Sequence, residues 1–426
     1  MENEKNYQDF LTRNSDDGIL DMINPTPESK NMPELKSSEK LENGVVRQFL
    51  RYEPFYGDFL VNTETEVEKD EAKARIDTDY LSLLALNSQD ENRSNEERQK
   101  WADYFTNQSV KIYGAPDAKI VREIEAEKGE DFLEKYAPIL GEVREYLEKK
   151  YADVFAKLDV DESEKKFDIE EISARFSAGL EALKLREKGF ENWSVEVKKD
   201  SSILSTSGED KKIFIGENRA EMTGAELKGL FAHEVLRHAV SAVNMEKIGI
   251  DTSLANYTST EEGFANIYQI ALGGKDPKVS MTRYADIGWA LGMVDGKKHT
   301  RSEFLERKKM KNISEKSARN TAARIFRGTP GSDEVSGVFT KDIAYFDGLV
   351  SGLEYISRKE KEGENLAEIL TFAESAKFNV NDEKQVKFVR EKIVETVLNG
   401  FLGIKRALPA PKNIRENDPE NAEKKV

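Results

Sequence analysis

Residues 223–240, TGAELKGLFAHEVLRHAV, contain two of the three histidines in this chain of 426 residues. Thr223 and Glu226 have the spacing of a capping box, which predicts that a helix begins at this point. Apolar residues then recur at helical spacing as far as Val240, so we expect the helix to be largely buried. The two histidines and the glutamate between them therefore lie inside a buried helix, where polar side chains need partners.

The histidine-containing motif reads HExxxH, from His233 through Glu234 to His238. This motif is one residue longer than the HExxH of many zinc proteases. On a straight α-helix, positions four apart differ by about 40° around the axis, whereas positions five apart differ by about 140°. Both imidazoles can therefore face one metal only if the helix widens locally. The spacing predicts a π-type bulge, a feature that often marks functional sites.

Two imidazoles beside a carboxylate indicate a metal site, although a hydrogen-bonded pair of core histidines is the alternative interpretation. The chain has no cysteine, so any transition-metal site must use His, Asp and Glu. Candidates for a third ligand are Glu261, Glu262 and His299. Two histidines on one helix and a glutamate on the next is the gluzincin arrangement, but Glu261 and Glu262 could equally complement a helix dipole.

Three short apolar stretches directly before the motif helix favour β-strands. They are residues 193–197, 203–204 and 212–215, and glycines bound the group. Helical periodicity dominates the stretches at 132–158 and 169–185. We therefore expect a mainly helical α+β fold with a small antiparallel sheet beside the motif helix, whose edge strand could hold an extended peptide.

Composition divides the chain into four parts and limits its partners. The net charge is −16, which argues against a nucleic-acid or acidic-membrane binder, and no apolar run is long enough to span a membrane. No secretory signal is visible, so a cytoplasmic protein is expected. We predict a flexible leader at 1–40, an N-terminal helical part at 41–165, a catalytic part at 166–408 and a flexible tail at 409–426.

Several ordered motifs resemble a known family across roughly residues 45–408. The chain is similar to the QEGLA-motif group, a domain of unknown function whose animal members include the microtubule-associated tyrosine carboxypeptidases. The motifs, in chain order, are Glu53-Pro54-Phe55-Tyr56, Ile112-Tyr113-Gly114-Ala115-Pro116, the HExxxH hexapeptide, Thr260-Glu261-Glu262-Gly263-Phe264-Ala265, Arg324-Ile325-Phe326-Arg327-Gly328-Thr329 and the segment from Gly337 to Tyr345.

The resemblance implies a gluzincin-like metallopeptidase domain that binds one Zn²⁺ per chain. Carried over by position, it implies that His233, His238 and Glu262 are the metal ligands and that Glu234 is the catalytic base. Glu262 aligns with the glutamate of QEGLA, whereas Glu261 stands where the family has glutamine. Phe264 likewise replaces the leucine of that motif.

A peptidase of this kind also needs a donor for the oxyanion and, if it is a carboxypeptidase, a cation for the terminal carboxylate. We favour Tyr345 as the oxyanion donor because it lies in a family-like segment. The predicted carboxylate-binding residues are Arg324, Arg327 and Lys341, with Arg237 behind them. Other possible oxyanion donors are Tyr257, Tyr268 and His299.

Three functions follow as hypotheses. The first is a zinc metallocarboxypeptidase acting on a peptide or protein C-terminus, and the second is an endo- or aminopeptidase on the same scaffold. The choice between them depends on whether an arginine or lysine closes the primed side of the cleft. The third is a non-catalytic, metal-stabilised interaction or regulatory protein, against which an intact Glu234 argues because a structural site has no need of it.

Overall fold

The computed structural model describes residues 81–401, except 82–83, 86, 127–133, 161–164, 200, 202, 252, 255 and 330–333. The predicted leader, the predicted tail and the Glu53–Tyr56 motif lie outside the described residues. The predicted division between residues 165 and 166 stays a prediction.

Helices make up most of the described chain, as the periodicity predicts. None of these described helices is long and apolar enough to cross a bilayer. In chain order the α-helices are α1 (Asn95–Tyr113), α2 (Ala118–Glu125), α3 (Ala137–Lys150), α4 (Ala152–Leu158), α5 (Ile169–Arg186), α6 (Gly224–Phe231), α7 (Val240–Lys247), α8 (Thr258–Ala271), α9 (Lys278–Ala290), α10 (Arg301–Met310), α11 (Glu315–Ile325), α12 (Ile343–Lys361), α13 (Leu366–Ala373) and α14 (Glu383–Phe401).

Two small sheets lie among these helices, and one of them corrects the sequence prediction. The strands are β1 (Lys166–Phe167), β2 (Ser194–Lys198), β3 (Leu204–Ser207), β4 (Lys212–Gly216) and β5 (Met222–Thr223). β1 pairs with β5, and the second sheet has the order β2-β4-β3. This second sheet is mixed, because β4 is central and runs parallel to β2 but antiparallel to β3. The expectation of an antiparallel sheet was therefore wrong for one of its two strand pairs, since periodicity within a strand carries no information about its partner.

The motif helix begins and widens as the sequence predicts. The Thr223 hydroxyl accepts a hydrogen bond from the Glu226 N–H at 3.3 Å, and the Glu226 carboxylate accepts one from the Thr223 N–H at 2.7 Å. α6 then continues into a π-helical segment, Ala232–Ala239, which leads into α7. The capping box and the bulge are both confirmed.

The largest apolar core surrounds this helical stretch. It includes Leu147 of α3 and Leu158 of α4 together with Leu227, Phe264 and Leu353 from α6, α8 and α12. Helices before and after residue 165 therefore share one core. A second cluster is built on α2, α9, α10 and α11, and a third joins α1 to the segment that precedes α12.

α8 and α12 approach each other closely at a pair of glycines. A Cβ at Gly263 would lie 2.2 Å from the Gly348 carbonyl oxygen, and a Cβ at Gly348 would lie 2.0 Å from the Ser259 carbonyl oxygen. Real side chains do not tolerate such contacts with backbone atoms. The glycine that follows the predicted ligand Glu262 is therefore required by helix packing, and the crossing fixes where α8 presents Glu262.

We predict that Gly263→Ala lowers the free energy of unfolding by about 3 kcal/mol, because the methyl group must push two backbones apart. Gly141→Ala is the matched control, since Gly141 is a helical glycine of α3 with open space around it. That control should be neutral or stabilise by up to about 1 kcal/mol. Urea unfolding of the two variants measures the difference. Equal stability would show that α8 and α12 can accommodate a methyl group where they cross.

Candidate metal centre

The π-helical segment and α8 bring His233, His238 and Glu262 to one point. The Glu262 Oε2 atom lies 3.6 Å from the Nε2 atom of His233 and 3.9 Å from that of His238. The two imidazole centroids are 4.8 Å apart, with an angle of 79° between the ring planes. One ligand atom from each residue lies within 4.8 Å of the other two. Within the described parts of the chain, this is the group that could hold a metal ion.

The residues of this group fit a divalent transition metal. A tetrahedral ion bound at about 2.0–2.2 Å holds its ligand atoms about 3.3–3.6 Å apart, close to the separations seen here. Glu262 Oε2 is buried and faces both imidazoles, and among the described residues it has no partner in hydrogen-bond geometry. Burial by itself would raise the pKa of the Glu262 carboxyl, but the neighbouring imidazoles lower it to about 2, so the group is an anionic ligand. Two imidazoles and a carboxylate can bind zinc and other divalent transition metals.

Glu234 follows the first histidine and contacts the sheet. The Thr206 hydroxyl of β3 lies 2.8 Å from both the carbonyl oxygen and the Oε2 atom of Glu234. The side chain is largely buried. Burial opposes the charged form of His238, but Glu261 raises the pKa of that imidazole, and the charges of Glu262 and Glu234 add to the effect. The edge strand β3 therefore holds the Glu234 carboxylate beside the His–His–Glu group.

Tyr345 lies in the first turn of α12, near Glu262. Burial raises the pKa of its hydroxyl, and the Glu262 charge raises it further, so the hydroxyl stays protonated and can donate a hydrogen bond. Its backbone carbonyl accepts from the Asn266 amide at 3.0 Å. Among the other predicted donors, Tyr268 is buried with its hydroxyl donating to Glu374, and His299 stacks on a tryptophan and pairs with an aspartate.

A group of basic side chains, which we call the cation cluster, lies beside Glu262 and Tyr345. Its shared anion is the buried Asp342, which accepts two hydrogen bonds from Arg324, at 2.6 and 2.9 Å, and pairs with Arg283 at 3.1 Å. These basic residues act on Asp342, Glu262 or Tyr345 electrostatically. The members of the cluster are Lys275, Arg283, Arg324, Arg327 and Lys341.

The predicted substrate-binding residues are all in this cluster. Arg324 is held by Asp342, Arg327 lies over the Phe339 ring at 5.2 Å, and the charge of Lys341 lowers the pKa of Glu262. Arg237 is placed differently, because its side chain is fully buried in an ion pair and faces no cleft. It is therefore not a substrate-binding cation.

Sequence reasoning did not predict the contacts of three residues in this region. Glu261 was set aside in favour of Glu262, yet its carboxylate accepts a 2.8 Å hydrogen bond from His238 Nδ1. Lys275 and Arg283 gave no signal, because they lie outside every motif. Lys275 donates to Asn266 at 2.7 Å and lies 5.4 Å from the centre of the Tyr345 ring. Burial, together with the charge of Arg283, lowers the pKa of Lys275 to about 8.

A mainly helical α+β protein with a His–His–Glu group and an adjacent glutamate belongs among candidate metal-dependent hydrolases. Comparison with protein families identifies the group more narrowly. The microtubule-associated tyrosine carboxypeptidase family model matches residues 98–392, most of the chain, and the chain belongs to that family. Membership implies a carboxypeptidase-like hydrolase that acts on a peptide or protein. A search of curated proteins finds no match.

Proposed function

We propose that this protein is a zinc-dependent metallocarboxypeptidase with a gluzincin-like site that releases a C-terminal residue. The observation that carries this proposal is the convergence of His233, His238 and Glu262, with Glu234 on the same π-helical segment and the cation cluster beside them. We infer one zinc ion per chain, held by those three residues. A cytoplasmic location stays a prediction.

Hydrolysis requires a base for the attacking water, and Glu234 is the residue that we assign to this role. A bound zinc ion would acidify a water molecule and polarise the scissile carbonyl. Glu234 accepts the proton of the attacking water and delivers it to the leaving amine, which is general base and then general acid catalysis. Thr206 orients the Glu234 carboxylate during both transfers, since its hydroxyl lies 2.8 Å from Oε2.

Tyr345 and the cation cluster would bind two different groups of the substrate. The protonated Tyr345 hydroxyl donates to the oxyanion that develops on the carbonyl. In a chain whose net charge is −16, the charges of Lys275 and Lys341 act on Glu262, and those of Arg283 and Arg324 act on Tyr345. Such local focusing of positive charge favours an anionic group of the substrate. A terminal carboxylate fits this requirement, which supports a carboxypeptidase over an endo- or aminopeptidase.

The proposal is tested with a pair of peptides that differ only at the C-terminus. We expect the zinc-loaded protein to remove the last residue of a tyrosine-terminated peptide that has a free carboxylate. The same peptide with a C-terminal amide should be cleaved at least about tenfold more slowly, because the amide cannot make the charged hydrogen bonds. Mass spectrometry identifies the products. Internal cleavage of both peptides would indicate an endopeptidase, and no cleavage of any peptide would favour the non-catalytic alternative.

Lys341→Met tests the cation cluster with the least disturbance of the fold. The Arg324 side chain is unsuitable because its removal would weaken the pairing of buried Asp342. A charged hydrogen bond to a carboxylate contributes about 1.5–3 kcal/mol, so we expect the KM for the free-acid peptide to rise on the order of 10- to 100-fold. Steady-state kinetics on the two peptides measures this change.

Lys119→Met is the control for that experiment. Lys119 lies on α2 with 83% of its side chain exposed, so this variant should keep wild-type kinetics. Amide-peptide cleavage should change little in Lys341→Met. An unchanged KM for the free acid in Lys341→Met would place the carboxylate elsewhere.

A further inference from the structure

Three buried side chains connect the predicted ligand His238 to the interior of the protein. His238 Nδ1 lies 2.8 Å from Glu261 Oε1, and the other oxygen of Glu261 forms a 2.7 Å ion pair with Arg237. Glu261 is 3% exposed and Arg237 is fully buried. Arg237 also donates to the Ser241 hydroxyl and lies 5.8 Å from the centre of the Phe264 ring. The connection therefore ends in a well-packed part of the core.

The contact with Glu261 determines which nitrogen of His238 is free. A carboxylate can only accept, so Nδ1 carries a proton. In the neutral imidazole Nε2 then keeps its lone pair, on the side where Glu262 lies. Such a contact fixes the tautomer and the ring orientation of a metal ligand. His233 differs, because its Nδ1 atom is buried with no hydrogen-bond partner in the described chain. The two histidines are thus held unequally.

The charge of Arg237 explains how a carboxylate can be buried at position 261. A buried carboxylate is costly unless a positive charge pairs with it, and Arg237 supplies that charge from the same turn of helix as His238. Arg237 and Glu261 therefore depend on each other, because replacement of either residue by a neutral one leaves the charge of the other buried and unpaired.

We propose that Glu261 is a positioning residue that holds His238 with Nε2 free for the metal, and that Arg237 and Glu261 act as one coupled unit. This inference rests on the proposed metal site but not on peptide hydrolysis. It predicts that the pair sets metal affinity and the tautomer of one histidine, whereas a merely structural pair would affect stability alone.

Zinc affinity provides the first readout, measured by competition with a chromophoric chelator. Loss of an outer hydrogen-bond partner reduces metal affinity about 10- to 100-fold, so we expect that loss in Glu261→Leu. Glu261→Gln should lose less, because its amide oxygen can still accept from Nδ1–H. Asp295→Asn is the matched control, since Asp295 lies 2.9 Å from His299 outside the site, and its zinc affinity should equal that of the wild type.

The second readout is the tautomer of His238 in the zinc-free protein, measured by nitrogen NMR of the imidazoles. The chain has three histidines, so each can be assigned by substitution. We expect the Nδ1–H form in the wild type and a mixture in Glu261→Leu. The double variant Arg237→Met/Glu261→Gln should be destabilised by less than the sum of its two single variants, because removal of both partners leaves no buried charge unpaired.

The outcomes separate the two proposals. Wild-type zinc affinity in a folded Glu261→Leu variant would overturn the positioning role and leave the peptidase proposal intact. A wild-type protein that binds zinc but cleaves no peptide would overturn the peptidase proposal, while the effect of Glu261 on affinity could still be measured. A wild-type protein that binds no zinc would overturn both.

Discussion

Replacement of Glu234 by glutamine is expected to abolish nearly all hydrolysis and to leave zinc binding intact. Glutamine keeps the size of the side chain, and its amide oxygen can still accept from Thr206, but it cannot take a proton from water. General acid–base catalysis contributes about 10²–10⁴ in rate, so kcat should fall by about that factor. Single-turnover kinetics together with metal analysis of the same sample measures both quantities.

Glu246→Gln provides the control for this substitution. Glu246 lies on α7, the continuation of the motif helix, and its half-exposed carboxylate pairs with Lys211 at the surface. That variant should keep both zinc and activity. If Glu234→Gln cleaves as fast as the wild type, another group is the base. If Glu234→Gln loses zinc as well as activity, the loss of rate does not identify a base.

The features that could be predicted from sequence depend on residues that lie close together in the chain. The cap at Thr223 depends on residues three apart, and the π-helical widening depends on His233 and His238, five apart. Such local patterns restrict the backbone directly. The position of Glu262 opposite the two histidines could not be predicted from spacing alone, because the neighbouring Glu261 was an equally good candidate. The family motif, and not periodicity, favoured the residue that the structure places opposite both Nε2 atoms.

The features missed depend on contacts between distant segments. Parallel pairing of β2 with β4 could not be predicted from either strand, because the apolar pattern of a strand does not specify the direction of its neighbour. Two members of the cation cluster, Lys275 and Arg283, lie outside every motif, and only the fold brings them beside Asp342, Glu262 and Tyr345. Arg237 looked available for substrate, yet packing buries it completely against Glu261. In each case burial or pairing at long range determines the role of the side chain.

The double variant His233→Ala/His238→Ala is expected to lose the metal entirely. The wild-type protein should contain about one zinc per chain, because the chain offers one group of three ligand atoms within 4.8 Å among its described residues. A single remaining carboxylate cannot hold zinc against water. Elemental analysis of both proteins, after exposure to zinc and removal of the excess, measures the content directly.

His299→Ala is the control for the double variant, since it removes the third histidine, which stacks on Trp289 away from the site. Stability gives an independent readout, because a ligand at about 1,000 times its Kd stabilises the folded state by about 4 kcal/mol. A chelator should therefore lower the Tm of the wild type and of His299→Ala but leave the Tm of the double variant unchanged.

Zinc retained in the double variant would place the metal elsewhere. A wild type that takes up no zinc and whose Tm no chelator changes would overturn the proposed role of Glu234, because the proposed base would act on a water molecule that the metal activates.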